Sequence, residues 1–146
     1  FNVTAHPTME WTSRQLVEAF PWNTAPTYIL RDRDSIYGAV FRNRIKHLGI
    51  KEVIIARRSP WQNPYAERVI GTLRRELLDH VIVMNERHLR RLHRRFVNEY
   101  YHPCRTHLSL GRDAPEQRAV EPPEMGEVIE LPVVGGLHHR YVRQAA

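Results

Sequence analysis

One cysteine, Cys104, is all the sequence contains, which excludes a disulfide framework and any zinc ribbon and points to a reducing compartment. No apolar run approaches the ~18 residues a membrane helix needs, so no membrane partner is expected. No secretory leader is visible, and the first residue is Phe1 rather than Met, so the sequence is expected to be a fragment. Internal repeats and low-complexity tracts are missing too. Acid is scarce: 16 Asp+Glu stand against 22 Lys+Arg, for a net charge of +6 and a pI near 10.0. That balance favours a polyanionic partner, nucleic acid above all, over a neutral one.

What remains suits one globular domain: 146 residues, 42% of them hydrophobic. Phe1-Asn2-Val3-Thr4 alternates like the tail of a strand. Thr8 caps a helix from Met9 to Phe20, with Met9, Leu16, Val17 and Phe20 on its apolar side. Thr27–Arg31 reads as a second strand, ended by Asp32-Arg33-Asp34-Ser35. A helix carrying Phe41, Ile45 and Leu48 follows, stopped by Gly49. Val53–Ala56 is a continuous apolar run of the kind buried on both faces. Alternating strands and helices of this sort make an α/β pattern.

The best-marked turn is Arg57-Arg58-Ser59-Pro60-Trp61-Gln62-Asn63-Pro64-Tyr65-Ala66-Glu67-Arg68. Asn63 suits an N-cap and Pro64 the first helical position, where a missing N–H costs nothing. Glu67 falls in the opening turn of a helix expected to run to Val81, with Val69, Ile70, Leu73, Leu77 and Val81 as its core side. Trp61 is expected to pack on the sheet, base stacking being the alternative. A further helix spans Glu86–Tyr101. Leu89, Leu92, Phe96, Val97 and Tyr100 form its buried stripe. Arg87, Arg90, Arg91, Arg94 and Arg95 cover the other side, a face that is either solvated or phosphate-binding. The proline-rich stretch after His102 is irregular. Val128–Val134, Gly135-Gly136 and Leu137–Val142 form a hairpin weakened by Pro132. His102 and His107 are metal-ligand candidates with structural roles preferred, and His138-His139 is expected at the surface.

Leu30-Arg31-Asp32-Arg33-Asp34-Ser35-Ile36-Tyr37-Gly38, Leu48-Gly49-Ile50, Ser59 to Arg68, and Tyr101-His102-Pro103-Cys104-Arg105-Thr106-His107-Leu108-Ser109-Leu110 with Pro115 follow one another in order. Together they resemble the integrase core of bacterial insertion-sequence transposases, the DDE class. The resemblance covers residues 1–116 as a truncated catalytic core and leaves 117–146 as a tail with the hairpin. It implies a ribonuclease-H-like α/β fold, a mixed sheet flanked by helices with the first strands missing. It also implies metal-dependent phosphodiester cleavage and strand transfer, as in DNA integration and transposition.

In this family an aspartate and a glutamate stand about 35 residues apart. Here 67 − 32 − 1 leaves 34 residues between Asp32 and Glu67, which makes these two the catalytic and metal-binding pair. Asp34 fits the spacing less well and reads as a turn residue. Arg74, seven residues past Glu67, matches the family's basic position for DNA. Gln62, Asn63 and Arg68 join it as DNA-contact candidates. The resemblance further implies two Mg²⁺ or Mn²⁺ ions in the full-length enzyme and a first catalytic aspartate outside this sequence, so that the fragment alone is expected to be inactive. Implied partners are transposon ends and target DNA, with homo-oligomerisation of the complete protein. The implied location is cytoplasmic and nucleoid-associated. A non-catalytic DNA-binding or oligomerisation remnant is the alternative from another class. A nuclease of the same fold is a third.

Overall fold

The computed structural model describes residues 2–21 and 24–145. The chain forms two compact units, Asn2–Arg74 and a second from Arg75 onward. Each contains one two-stranded sheet.

In the first unit, helix α1 spans Met9–Ala19. Thr8 caps it as expected, its Oγ1 accepting from the Trp11 N–H at 3.2 Å. Strand β1 covers Tyr28–Arg31, helix α2 Ala39–His47 and strand β2 Lys51–Ile54. The strands are parallel, with Tyr28 opposite Lys51 and Arg31 opposite Ile54. Parallel neighbours need a long crossover, and α2 lies within it. Helix α2 ends as its sequence predicts: Gly49 takes a φ of +70°, which glycine adopts without steric cost. At the other end of α2, Gly38 leaves room for Met9, since a Cβ there would lie 2.0 Å from the Met9 sulfur.

Leu16, Phe41, Ile45 and Ile50 are the buried core of this unit, with Phe20, Ile29, Tyr37 and Leu48 packed around them. The other face of the sheet is open. Tyr28, Leu30 and Val53 lie on it, and Val53 is 43% exposed. The expectation that Val53–Ala56 is buried on both faces is therefore corrected, because core residues gather on one side of the pair only. Val17 likewise faces solvent. Asn2–Thr4 is irregular rather than strand, and Phe1 lies outside the described residues. Local bonds compete with pairing there: Asn2 Oδ1 accepts the Val3 N–H at 3.0 Å and Thr4 Oγ1 the His6 N–H at 3.1 Å. The sheet is consequently a parallel pair among the described residues, not a mixed one.

Helix α3 begins at Pro64 as predicted but ends at Glu76, five residues short of Val81. Leu77 leaves helical geometry (φ −134°, ψ −61°) and becomes fully buried. The His80 ring donates to the released Arg75 carbonyl at 2.9 Å. The predicted core side of α3 is mostly not core: Val69 and Ile70 are exposed.

Helix α4 spans Glu86–Arg95 and continues as a π-helical turn, Phe96–Tyr101. Asn85 caps it, accepting the His88 N–H at 2.8 Å. Phe96 is 0% exposed, ringed by Tyr100, Tyr101 and His138. The expected hairpin is present: β3, Glu127–Val133, pairs antiparallel with β4, His138–Gln144. Glu99 fastens its turn by accepting the Val134 N–H at 3.0 Å. That bond holds Val134 at φ +53°, an unusual backbone for a β-branched residue.

His138 corrects the surface expectation. It stacks on Tyr100 with ring centroids 3.8 Å apart and bonds the Glu76 carbonyl at 2.7 Å. Arg105 grips the Glu76 carboxylate with two bonds of 2.6 and 2.7 Å, the bidentate geometry in which guanidinium and carboxylate match best. His107 lies edge-on to Tyr101 with centroids 5.1 Å apart, while His139 approaches Glu130 at 3.1 Å. Among the described residues, no cluster of three or more His, Cys, Asp or Glu side chains is arranged to hold a metal.

Candidate active site

The first unit carries an open cavity of about 700 Å³ at the ends of both strands and the start of α3. Asp32 and Glu67, far apart in sequence, both line it. Each arrives by a simple local rule. Asp32 is the first residue after β1, and Glu67 sits in the first turn of α3. A carboxylate there is favoured by the partial positive charge of the helix N-terminus. The Glu67 N–H donates to the Asn63 carbonyl at 3.2 Å, which closes that first turn.

The two acids differ in how committed they are. Asp32 Oδ1 accepts the Asp34 N–H at 3.1 Å, which leaves its second oxygen available. Among the described residues, nothing engages the Glu67 carboxylate. Asp34 caps the short 3-10 turn Ser35–Tyr37 by accepting the Ile36 N–H at 3.0 Å, which explains it as a turn residue without any catalytic part.

Cations surround the acids. Arg31, Arg33, Arg57 and Arg58 all line the cavity. Arg31 is occupied: it pairs with Glu52, donates to the Asp32 carbonyl at 2.5 Å and lies 5.3 Å from the Tyr37 ring centre. Its role is to fix the end of β1. Tyr37 is pushed above the ordinary phenol value, first by burial and then by the nearby Asp32 and Asp34 charges, so it stays protonated at neutral pH. Arg57 and Arg58 have no hydrogen-bonded or ion-pair partner for their guanidinium groups among the described residues. Arg58 sits at φ +57°, a conformation costing a non-glycine residue ~1–3 kcal/mol. These wall arginines carry no assignment in the sequence reading. Their signal was available, as two adjacent basic residues directly before a marked helix start.

The remaining candidates divide. Asn63 lines the cavity, whereas Gln62, Arg68 and Arg74 do not. Gln62 instead accepts the Ala56 N–H through Oε1 at 2.8 Å, pinning the loop to the end of the strand region. Arg68 and Arg74 are exposed and share α3 with Glu67. Trp61, expected against the sheet, is 70% exposed. The short turn Pro60–Gln62 directs the chain away from the core, which leaves the indole open to a base.

The fit to a divalent ion can be judged from the donors. Two carboxylates on one cavity supply hard oxygen ligands of the kind Mg²⁺ and Mn²⁺ prefer, with water or phosphate oxygens completing the shell. They suffice for one ion. A pair of ions bridged by a third acid would need a carboxylate beyond those this cavity contains.

Residues 48–115 match the family described as the integrase core domain. The matched stretch includes Glu67, Asn63 and Arg74 and begins after Asp32. No curated protein and no solved structure matches the chain. The family match supports a ribonuclease-H-like fold and an integrase or transposase type of function, with DNA as substrate and divalent metal as the general requirement of such domains. No helix among the described residues is long and apolar enough to cross a membrane.

Proposed function

We propose that this chain, with its integrase core match over residues 48–115, is part of a bacterial insertion-sequence transposase that cuts and joins phosphodiester bonds. The observation that carries this reading is the meeting of Asp32 and Glu67 on one cavity walled by arginines. When bound, a divalent cation there would neutralise charge on the entering and leaving oxygens of the phosphodiester. Asp32 and Glu67 hold that cation. Arg57 and Arg58 attract and orient the phosphate, which guanidinium groups match in shape as well as charge. Asn63 marks the helix start beside it. Arg68 and Arg74 extend the basic contact along α3, and Gln62 keeps the loop in place. The third acid of the set is supplied from outside residues 1–146, and the complete protein acts as a homo-oligomer on transposon ends and target DNA.

The test is Mn²⁺ binding to the full 146-residue chain, read by electron paramagnetic resonance. Asp32→Asn and Glu67→Gln should each weaken binding about tenfold or more, while Asp34→Asn leaves it within about twofold. Unchanged binding in both of the first two variants would remove the cavity from consideration as a metal site. A non-catalytic DNA-binding remnant is favoured by one observation, that no three-acid cluster exists among the described residues. It predicts DNA binding unaffected by Asp32→Asn and Glu67→Gln, together with no Mn²⁺ site.

A further inference from the structure

We infer that the arginine face of α4 is a second nucleic-acid contact, separate from the cavity, that grips the phosphate backbone of duplex DNA without reading its sequence. It rests on the reading of DNA as the substrate but not on the catalytic assignment. Arg87, Arg90, Arg91 and Arg94 follow one another at i, i+3, i+4 and i+7, so at 100° per residue they occupy one 100° arc of the helix. All four are exposed, and with Arg95 they line a shallow groove of about 460 Å³. Every residue lining that groove is an arginine.

The five are not alike. Arg95 is committed to structure: its guanidinium donates to both Glu99 oxygens, at 2.9 and 3.2 Å. Glu99 in turn holds the hairpin turn through the Val134 N–H. Among the described residues, no hydrogen bond or ion pair engages the guanidinium groups of Arg87, Arg91 and Arg94. The one acid within α4, Glu86, is at its first position, off the arc. Arg87, Arg91 and Arg94 thus place three positive charges on one face with no described carboxylate paired to them.

Spacing selects the ligand. Arg87 to Arg94 is seven residues, or ~10 Å along the axis. One strand of a duplex presents a phosphate every ~3.4 Å of its axis, so about three fall within that reach. Guanidinium groups bind phosphate oxygens bidentately and remain charged at any physiological pH. A basic helix of this kind could instead lie on an anionic membrane, but that needs an apolar face to insert. Here the opposite face is spent, with Phe96 and Val97 buried in the unit.

The experiment is fluorescence anisotropy of the full chain with a labelled 20-base-pair duplex of arbitrary sequence, across a salt series. R87Q/R91Q/R94Q should lower the slope of log K against log salt by about 2.7, at ~0.9 for each phosphate no longer neutralised. R87K/R91K/R94K should keep most of the slope, because it retains the charge. Asp32→Asn with Glu67→Gln should leave the slope unchanged, so failure of the catalytic reading is scored separately. An unchanged slope in the folded glutamine variant would overturn the inference. So would tighter binding of the wild type to phosphatidylserine vesicles that duplex DNA cannot compete off. If the glutamine variant does not fold, amide exchange of the wild type decides: added duplex should protect residues 86–95, and no protection there refutes the site.

Discussion

The stretch up to Arg74 and the stretch beyond it spend their polar side chains in opposite ways. In the first, an aliphatic cluster on one side of a two-stranded sheet supplies the core. Glu67, Arg57 and Arg58 are left uncommitted around a cavity. In the second, polar groups are the fastening: Arg105 on Glu76, His138 on Tyr100, and Glu99 between Arg95 and the hairpin turn. A charge already paired has little left to offer a substrate. The difference teaches where to look for chemistry, which is where ionic groups meet without satisfying one another.

The contrast breaks most visibly at the two buried phenylalanines. Phe96→Ala removes a fully buried ring and should cost about 3–5 kcal/mol, as should Phe41→Ala in the other unit. Differential scanning calorimetry would show whether each variant lowers a separate transition. If both lower one common transition equally, the two units unfold together.

A smaller effect is expected at Glu76→Gln, which loses half of a partly exposed pair. About 1–2 kcal/mol is expected after allowing for solvent screening. The same carboxylate sets a pH dependence. Its pKa is lowered from 4.5, first by the hydrogen bonds from Arg105. A depressed folded value gives stability that is complete above the unfolded value near 4.5 and is lost as pH falls through the lower folded one. Urea midpoints measured from pH 6 downward should therefore drop in the wild type more steeply than in Glu76→Gln. Parallel curves for the two proteins would remove the bridge from the acid response.

Least of all should follow from Leu30→Thr or Val53→Thr on the open sheet face. Each should shift stability by about 0.5 kcal/mol or less. A much larger loss in chemical denaturation would mean that another surface covers that face in solution.

Local chemistry in the sequence is a good guide to α1, α2, the start of α3 and the hairpin, because caps, prolines and glycines act within a turn of where they sit. Thr8, Gly49, Pro64 and the Gly135-Gly136 pair each mark an observed boundary. Burial is harder to read. Val53, Val69 and Ile70 look like core by pattern, yet pattern says which side of an element is apolar and not whether anything lies against it. The early end of α3 depends on Leu77 being drawn into the core, a tertiary event that helical periodicity cannot anticipate. At the candidate site, the two acids were legible through their spacing and resemblance. Arg57 and Arg58 gain meaning only once the loop is folded around them. His138 looked like surface because its partners, Tyr100 and the Glu76 carbonyl, are remote in sequence.

The π-helical turn at Phe96–Tyr101 makes this part of the chain a counting device. A wider turn accommodates one residue more than an α-helical register would, and everything downstream is phased to that surplus. Removing a single residue between Phe96 and Tyr101 would let the helix relax to ordinary winding. Whatever follows would swing by about 100° around the axis. Arg105 would then meet Glu76 from the wrong bearing, and Tyr100 would no longer present its ring to His138. No side chain need change for that failure, only the tally of peptide units. The segment should therefore tolerate substitutions far better than insertions or deletions.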